Sequence, residues 1–278
     1  MRPSLRAGIA SAAILCTAAA AAVAAAAPAL ADHAPSPQPG SAYAGSTLRS
    51  HHSPAAGNSA NTTALPALTN STTRTLGIDV SSYQGNVDWA GQWKFAIRFA
   101  YIKATEGTSY TNPYFAQQYN GSYNTGMVRG AYHFGLPNGS AIAQADYFAA
   151  HGGRWSADGR TLPPALDIEY NPYGAECYGL SQSAMVTWLK AFANEVHKKA
   201  GRYPVFYTTT DWWRTCTGNS AALAATDPIW IANWSSSPGT LPAGWKSWRV
   251  WQYSDGGGSL DHDAFNGSFA ALKAFAKG

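Results

Sequence analysis

The chain has 278 residues, of which 46% are hydrophobic and 12% are charged. This is enough for one domain of about 200 residues with a full hydrophobic core. The formal net charge is only +4, and no block of Lys and Arg occurs in the sequence. A nucleic-acid partner is therefore not expected, since a phosphate backbone is bound by clustered positive charge.

The N-terminus has the pattern of a secretory signal. Arg2 and Arg6 are followed by an almost unbroken Ala-rich run over 8–27 and by Ala-Leu-Ala at 29–31, the small-residue pattern that signal peptidase recognises. We predict a signal peptide over 1–31 and a secreted, extracellular protein with no membrane association after cleavage. The alternative is a retained anchor, which is disfavoured because Ala is only weakly apolar. Loss of the two Arg lowers the net charge from +4 to +2.

Residues 32–75 contain no Trp, Phe, Ile, Val or Met and are rich in Ser, Ala, Pro, Thr, Asn and Gly. Such a stretch cannot bury enough apolar surface to fold by itself, so we predict a disordered linker or a propeptide. His51 and His52 fall in this tract and are interpreted as incidental rather than as metal ligands. All eleven Trp lie beyond Leu76, which indicates a folded domain over 76–278.

Short apolar runs alternate with amphipathic stretches in this domain. The predicted strands are 76–80, 96–103, 128–134, 165–168, 205–208, 229–232 and 250–253, with a weak eighth near 259–261. The predicted helices are 113–123, 141–151, 181–199 and 268–276. Ser181 is a suitable N-cap for the third helix, and Gly201 is suited to end it. The alternation predicts a mainly parallel sheet, and eight strands suggest a closed barrel with too few helices for an even eightfold repeat.

Two carboxylates end the fourth predicted strand, at Asp167 and Glu169. Side chains alternate faces along a strand, so these two point the same way with Cα atoms about 7 Å apart. Ionisation of one then opposes ionisation of the other and raises one pKa, which is how a general acid is obtained near neutral pH. The alternative is a pair of ordinary strand-end charges.

Other polar residues also fall near predicted strand ends, which share one face in a parallel barrel. They are Asp79, Lys103, Glu106, His133, Tyr207, Asn233, Gln252 and Asp261. For Lys103 with Glu106 we favour a structural ion pair over catalysis, and His133 is interpreted as a hydrogen-bonded core histidine. Cys177 and Cys216 remain as an even pair after export and are expected to form one disulfide rather than a metal site.

Six motifs in order resemble the Chalaropsis-type lysozymes of glycoside hydrolase family 25. They are GIDVSSYQG at 77–85, IKATEG at 102–107, GAYHF at 130–134, LDIE at 166–169, IANW at 231–234 and WQY at 251–253. The resemblance covers essentially all of 76–278, and the Ala-rich signal and the placement of Cys177 and Cys216 are similar to those of secreted actinobacterial members. It implies an α/β fold, an irregular (β/α) barrel of eight strands with fewer than eight helices. It also implies an N-acetylmuramidase that cleaves the β-1,4 bond between N-acetylmuramic acid and N-acetylglucosamine in peptidoglycan.

Residue by residue, the resemblance makes Glu169 the general acid, Asp167 its neighbouring carboxylate and Asp79 the acidic residue of the first strand. Asp261 takes the place of the acidic residue in the last motif. There the sequence LDHDAFNG at 260–267 departs from the family pattern, which leaves Asp263 as an alternative.

For the mechanism we expect the acetamido group of the substrate to attack the anomeric carbon while Asp167 orients it. The alternative is direct attack of water with Asp79 as base and inversion. The aromatic candidates for stacking on sugar rings are Tyr83, Tyr101, Tyr132, Tyr207 and Trp234. No metal or organic cofactor is implied, and a monomer is expected. A chitinase-like hydrolase and a non-catalytic wall-binding barrel are the rival functions.

Overall fold

The apolar runs of the domain form nine strands. The computed structural model describes Met1, residues 38–51, Leu68 and residues 71–278. The strands are β1 Thr75–Val80, β2 Phe99–Glu106, β3 Tyr110–Thr111, β4 Val128–Phe134, β5 Ala165–Asp167, β6 Val205–Thr208, β7 Ile229–Ala232, β8 Val250–Ser254 and β9 Asp261–Phe265. All residues of β1 and β2 are buried, as expected for strands covered on both faces.

Eight of these strands close into a barrel. Seven strands are parallel neighbours in the order β1, β2, β4, β5, β6, β7 and β8. The barrel is closed by β9, which pairs antiparallel with both β8 and β1. β3 is a two-residue antiparallel addition to the end of β2. The predicted eight-stranded irregular barrel is therefore confirmed.

Residues 71–278 contain six α-helices, fewer than the strands they connect. These are α2 Trp89–Lys94, α3 Phe115–Asn124, α4 Ala141–Ala150, α5 Gln182–Ala200, α6 Thr210–Thr217 and α7 Phe269–Lys277, and a further short helix, α1, spans Leu48–His51. α5 begins as predicted, because the Ser181 side chain accepts a hydrogen bond from the backbone of Ala184. It ends at Gly201, whose φ of 76° is the left-handed conformation that glycine adopts most readily.

The predicted elements omit α2, α6 and the short β3, and they misplace the starts of β2 and β9. α6 was not predicted, because Thr, Trp and Cys have modest helix propensity; here Trp212 and Trp213 are buried and Thr209 caps the helix. β2 begins at Phe99 rather than at residue 96, since Ala96 turns the chain with a φ of 66°. β9 begins at Asp261, where the predicted strand ended, because the residues before it form a glycine-rich turn.

The interior of the barrel is filled by aromatic side chains around Trp230. Its ring stacks on Tyr101 with 4.8 Å between centroids and meets Tyr207 edge-on at the same distance. Leu272 and Ala276 of α7 belong to the same buried cluster and close the end of the barrel at which the parallel strands begin. The polar side chains described below lie at the opposite end.

Residues 38–51, called the N-terminal segment below, lie in the same compact unit as the barrel, Ser36–Gly278. Ala44 and Leu48 of this segment are buried in the interior cluster. The predicted signal peptide lies outside the described residues apart from Met1. None of the helices in the described part of the chain is both long and apolar enough to cross a bilayer.

A disulfide joins Cys177 to Cys216, as expected from the sequence. Cys177 lies in the loop that follows β5 and Cys216 lies on α6. The bond closes a loop with a sequence separation of 39 residues. It therefore ties the loop downstream of Glu169 to a neighbouring helix.

Replacing both cysteines by Ala is expected to destabilise the protein by about 3–4 kcal/mol, because the unfolded chain regains the freedom that the closed loop removed. For a domain of this size that corresponds to a fall in Tm of roughly 6–16 °C. Thermal unfolding followed by circular dichroism measures the change. Reduction of the parent protein should give a similar shift and should leave the double variant unaffected; an unchanged Tm in both cases would contradict the prediction.

Candidate active site

Three carboxyl groups lie at the end of the barrel where the parallel strands terminate. Asp79 is near the end of β1, Asp167 is the last residue of β5, and Glu169 follows two residues later. Their exposed fractions are 1%, 0% and 0%. Strand-like pairing continues past β5, because the backbone N–H of Ile168 donates to the carbonyl of Tyr207 at 3.0 Å. The structure thus brings Asp167 and Glu169 together.

Glu169 accepts hydrogen bonds on both oxygens. The backbone N–H of Gly45 donates to Oε1 at 2.9 Å and that of Thr47 to Oε2 at 2.8 Å. The Thr47 hydroxyl donates to Oε2 as well. Burial raises the pKa of Glu169 from the usual 4.5 to about 7, against the opposing effect of these donors. A carboxyl group with such a pKa retains a proton near neutral pH, as a general acid must.

Asp167 is buried without a well-formed hydrogen bond to either oxygen in the described part of the chain. Burial, followed by the negative charge of Glu169, raises its pKa well above the usual value, while Lys103 lowers it. An unsatisfied buried carboxyl group costs folding free energy. Such a group in a cleft is a candidate for contact with a ligand.

Gln252 connects three side chains at the end of the barrel where the parallel strands terminate, called the mouth below. Its Nε2 donates to Oδ2 of Asp79 at 2.9 Å, and its Oε1 accepts from the Tyr207 hydroxyl and from Nε1 of Trp234, each at 2.9 Å. Burial and then the charge of Asp263 raise the pKa of Asp79 well above its usual value, and the bond from Gln252 lowers it. Sequence reasoning placed Gln252 near the mouth but gave it no role, although the WQY motif contains it.

Asp261 and Asp263 lie at different depths on β9. Asp261 pairs with Asp79 across the strands and lines a small cavity at the rim together with Tyr83 and Trp234. Asp263 is fully buried and accepts a hydrogen bond of 2.8 Å from Nε1 of Trp230. Burial raises its pKa well above the usual value. Of the two alternatives, Asp261 is the one nearer the rim.

Four of the five aromatic side chains that were predicted to stack on sugar rings lie at the mouth. Tyr132, Tyr207 and Trp234 lie beside the N-terminal segment, and the Tyr132 hydroxyl accepts a bond of 3.4 Å from the Ala44 backbone. Tyr83 is 65% exposed at the rim.

Tyr101 does not join the other four. Its hydroxyl donates to the carbonyl of Pro163, before β5, at 3.0 Å. This carbonyl belongs to the end of the barrel at which the parallel strands begin, so the ring fills the interior below the mouth.

Lys103 and Glu106 form the buried ion pair favoured from the sequence, with 2.5 Å between Nζ and Oε2. His133 is likewise buried, with Nδ1 2.8 Å from the Thr105 hydroxyl and Nε2 3.1 Å from Oε1 of Gln144. Burial lowers the pKa of His133 to about 3, so the ring is neutral. A role in positioning strands accounts for all of these contacts.

A cavity of about 260 Å³ opens beside Glu169. Tyr170, Asp211, Arg214 and Asn233 contribute to its lining. Among the described residues no group of three or more His, Cys, Asp or Glu is arranged to hold a metal ion. The site therefore offers a buried acid, a second carboxyl group and a polar cavity.

The sequence model of Glycosyl hydrolases family 25 matches residues 78–262. Lysozyme M1 of Streptomyces globisporus is 47% identical over 245 residues, which cover 86% of this chain and 82% of the relative. That share of this chain is larger than residues 76–278 make up, so the match extends into the residues that precede the barrel. An N,O-diacetylmuramidase of Chalaropsis sp. is 50% identical over 210 residues, covering 73% of this chain and 99% of the relative.

Solved structures agree with these matches. A bacterial lysozyme from Streptomyces coelicolor is 48% identical with a TM-score of 0.72, over 74% of this chain and 99% of that one. A family GH25 lysozyme from Aspergillus fumigatus is 46% identical with a TM-score of 0.72, over 74% of this chain and all of that one. The family match includes the end of β1, all of β5 and the start of β9, which carry Asp79, Asp167 and Asp261. The chain belongs to Glycosyl hydrolases family 25 and is a glycoside hydrolase.

Proposed function

We propose that this protein is a secreted lysozyme, an N-acetylmuramidase that hydrolyses the β-1,4 bond between N-acetylmuramic acid and N-acetylglucosamine in peptidoglycan. The observation that carries the proposal is Glu169, a buried carboxyl group with a pKa of about 7 beside a second, unsatisfied carboxyl group. Relatives at 47–50% identity that are named lysozyme or N,O-diacetylmuramidase support the choice of bond and substrate.

Glu169 acts as the proton donor in the first step. As the bond between C1 of the muramic acid residue and the bridging oxygen breaks, that oxygen takes the proton of Glu169 and leaves as the hydroxyl group of glucosamine. Glu169 is then a carboxylate, and it accepts a proton from the water that attacks C1 in the second step. The group is returned to its starting state, and one water molecule is consumed for each bond cleaved.

Asp167 acts on the substrate acetamido group. The amide oxygen attacks C1 as the leaving group departs, which forms a cyclic oxazolinium intermediate and places positive charge on the amide. The unsatisfied oxygens of Asp167 accept the amide N–H and stabilise that charge. Water then opens the ring at C1 and restores the acetamido group, so the product retains its β configuration.

Asp79 and Asp261 support this pair from β1 and β9, two adjacent strands elsewhere in the barrel wall. Gln252 fixes the orientation of the Asp79 carboxyl group, and Asp261 lies across the strand pair from Asp79. In the alternative mechanism Asp79 is the base that activates water for direct attack, and the product is inverted. Tyr83, Tyr132, Tyr207 and Trp234 offer aromatic faces to sugar rings.

Product analysis tests the reaction and its rivals. Purified residues 76–278 are incubated with bacterial walls and, in parallel, with colloidal chitin, and the soluble products are reduced with borohydride and hydrolysed. We expect clearing of the wall suspension and new muramitol, the reduced form of a muramic acid reducing end. Glucosaminitol from walls would indicate cleavage of the other glycosidic bond. Activity on chitin alone would indicate a chitinase-like enzyme. Binding to walls without release of products would indicate a non-catalytic wall-binding barrel.

The proposed chain organisation follows from the sequence. Residues 1–31 direct export and are removed, residues 32–75 are a linker or propeptide, and residues 76–278 are the catalytic barrel. The secreted enzyme acts as a monomer and needs no metal or organic cofactor, because the acid, the second carboxyl group and the substrate amide supply the chemistry.

A further inference from the structure

The N-terminal segment lies directly on the proposed proton donor. All the hydrogen bonds to Glu169 described above come from this segment, two from backbone N–H groups and one from the Thr47 hydroxyl. Both carboxylate oxygens are therefore engaged. A glycosidic oxygen has to approach within hydrogen-bond distance of the same carboxyl group to receive its proton.

A second set of contacts holds the beginning of the segment. The Lys103 ammonium donates to the carbonyl of Gly40 at 3.2 Å and also to that of Ala42. Oε1 of Glu106 accepts from the Gly40 N–H at 2.9 Å, and the Tyr173 hydroxyl donates to the same oxygen at 2.7 Å. The buried Lys103–Glu106 pair thus binds peptide backbone groups in addition to positioning strands.

The middle of the segment fills the mouth of the barrel. Ala44 and Leu48 are 0% and 2% exposed and belong to the interior cluster, and the Ala44 carbonyl accepts from Nε2 of Gln252 at 3.2 Å. Gly45 has a φ of 92°, and a Cβ there would lie 3.1 Å from Tyr207, Trp234 and Gln252. Only glycine fits this position without displacing groups of the site.

The two ends of the segment contact the rim. Tyr43 stacks on Tyr83 with 5.6 Å between ring centroids. His51 stacks on Tyr170 at 3.9 Å, and its Nδ1 is 3.7 Å from Oε1 of Glu176. The segment therefore contacts two aromatic side chains at the rim, Tyr83 and Tyr170, and its hydrogen bonds to Glu169 lie between these contacts. A glycan strand would have to use the same surfaces.

We propose that residues 38–51 are an intramolecular inhibitor, so that the exported chain is a latent precursor whose cleft opens only when this segment is removed or displaced. The inference rests on the proposed function, because it takes Glu169 as the group that substrate must reach. The Streptomyces match that extends into residues before the barrel shows that part of this region is shared with a relative named lysozyme. The covalent link keeps the segment at a high effective concentration near its site, so few contacts suffice to hold it.

The test compares three proteins on one wall suspension: residues 32–278, residues 76–278, and residues 32–278 with Gly45→Leu. The shortest one is expected to fold, because related structures consist of the matching barrel alone. If the cleft is open in about 5% of the precursor molecules, initial rates of clearing will be about 20-fold higher for residues 76–278. Gly45→Leu should raise the rate of the long chain towards that level without any cleavage.

Ser50→Ala in the long chain is the matched control, because Ser50 is exposed and, among the described residues, its side chain donates to the Thr47 carbonyl within the segment and contacts no barrel group by hydrogen bond. It should remain as slow as the parent. Mass spectrometry at the end of each assay verifies that the long chains are intact. Equal rates for intact residues 32–278 and residues 76–278 would overturn the inference.

Hydrogen exchange gives a readout that does not depend on activity. The backbone amides of Gly45 and Thr47 should exchange at least tenfold more slowly in the parent than in the Gly45→Leu chain, because only the parent keeps them on Glu169. Fast exchange in both chains would also overturn the inference. If residues 76–278 are folded but inactive on walls while these amides are protected, the proposed function fails and the docked segment stands.

Discussion

Replacement of Glu169 by Gln in residues 76–278 is expected to lower kcat on peptidoglycan by about 10³-fold, within the range found for loss of a general acid. Gln has almost the same size and polarity, but its amide cannot give up a proton to the leaving oxygen. Binding should change little, so KM should stay within a few fold of the parent value. Initial rates of release of reducing ends from purified walls measure both constants.

Asp227→Asn is the matched control for this variant. Asp227 is also a buried carboxyl group whose pKa burial raises to about 7, but it lies just before β7, at the closed end of the barrel. It should keep nearly full activity. A Glu169→Gln protein that is folded by circular dichroism and retains more than a tenth of the parent activity would show that Glu169 is not the proton donor.

The pH profile follows from the same assignment. Glu169 is active while protonated, so kcat/KM should fall as pH rises through the pKa of this group; with residues 38–51 docked, burial raises that pKa above the usual 4.5. The residual kcat/KM of Glu169→Gln should not show this fall at higher pH. Both proteins can be measured on the same soluble wall fragments.

Replacement of Asp167 by Asn is expected to lower kcat by about 100-fold or more, because the charge that stabilises the cationic intermediate is lost. The side-chain volume is retained, and one oxygen remains to accept a hydrogen bond. Loss should therefore appear in kcat more than in KM. Kinetics on a defined glycan fragment separate the two constants.

Asp79→Asn provides the comparison that distinguishes the two mechanisms. If the acetamido group assists, Asp79 is a supporting residue, and Asp79→Asn should lower kcat less than Asp167→Asn does. With direct attack by water, Asp79 is the base and its loss should be the larger of the two. Proton NMR of the first product gives an independent answer, since a retained β anomer supports assistance and an inverted anomer excludes it.

The sequence predicts the barrel well because its buried parallel strands are continuous apolar runs. This pattern can be recognised in the sequence without knowing which residues are in contact. It predicts α5 well because Ser181 and Gly201 mark both ends. It misses α6, where buried Trp212 and Trp213 outweigh weak helix propensity. Tertiary contacts of this kind are invisible in local patterns.

Asp167 and Glu169 could be paired from alternation along one strand, but depth within the barrel could not be predicted in the same way. Tyr101 was expected at the rim because its strand was predicted to end at residue 103. β2 in fact continues to Glu106, which leaves Tyr101 inside. The docking of residues 38–51 on the barrel could not be predicted from the sequence either. Their conformation is held by hydrogen bonds to barrel side chains rather than by a hydrophobic core of their own.

The reversed direction of β9 has a consequence for how the enzyme can diversify. Every parallel connection must carry the chain back along the outside of the barrel, but β8 and β9 are joined by a hairpin that never leaves the substrate side. Gly256, Gly257 and Gly258 in that hairpin all have positive φ, and the turn lies next to Asp261 and Trp234. Changes of length or sequence in this hairpin would reshape one wall of the cleft while leaving the strand register intact, which makes it a natural place to alter selectivity for different bacterial walls.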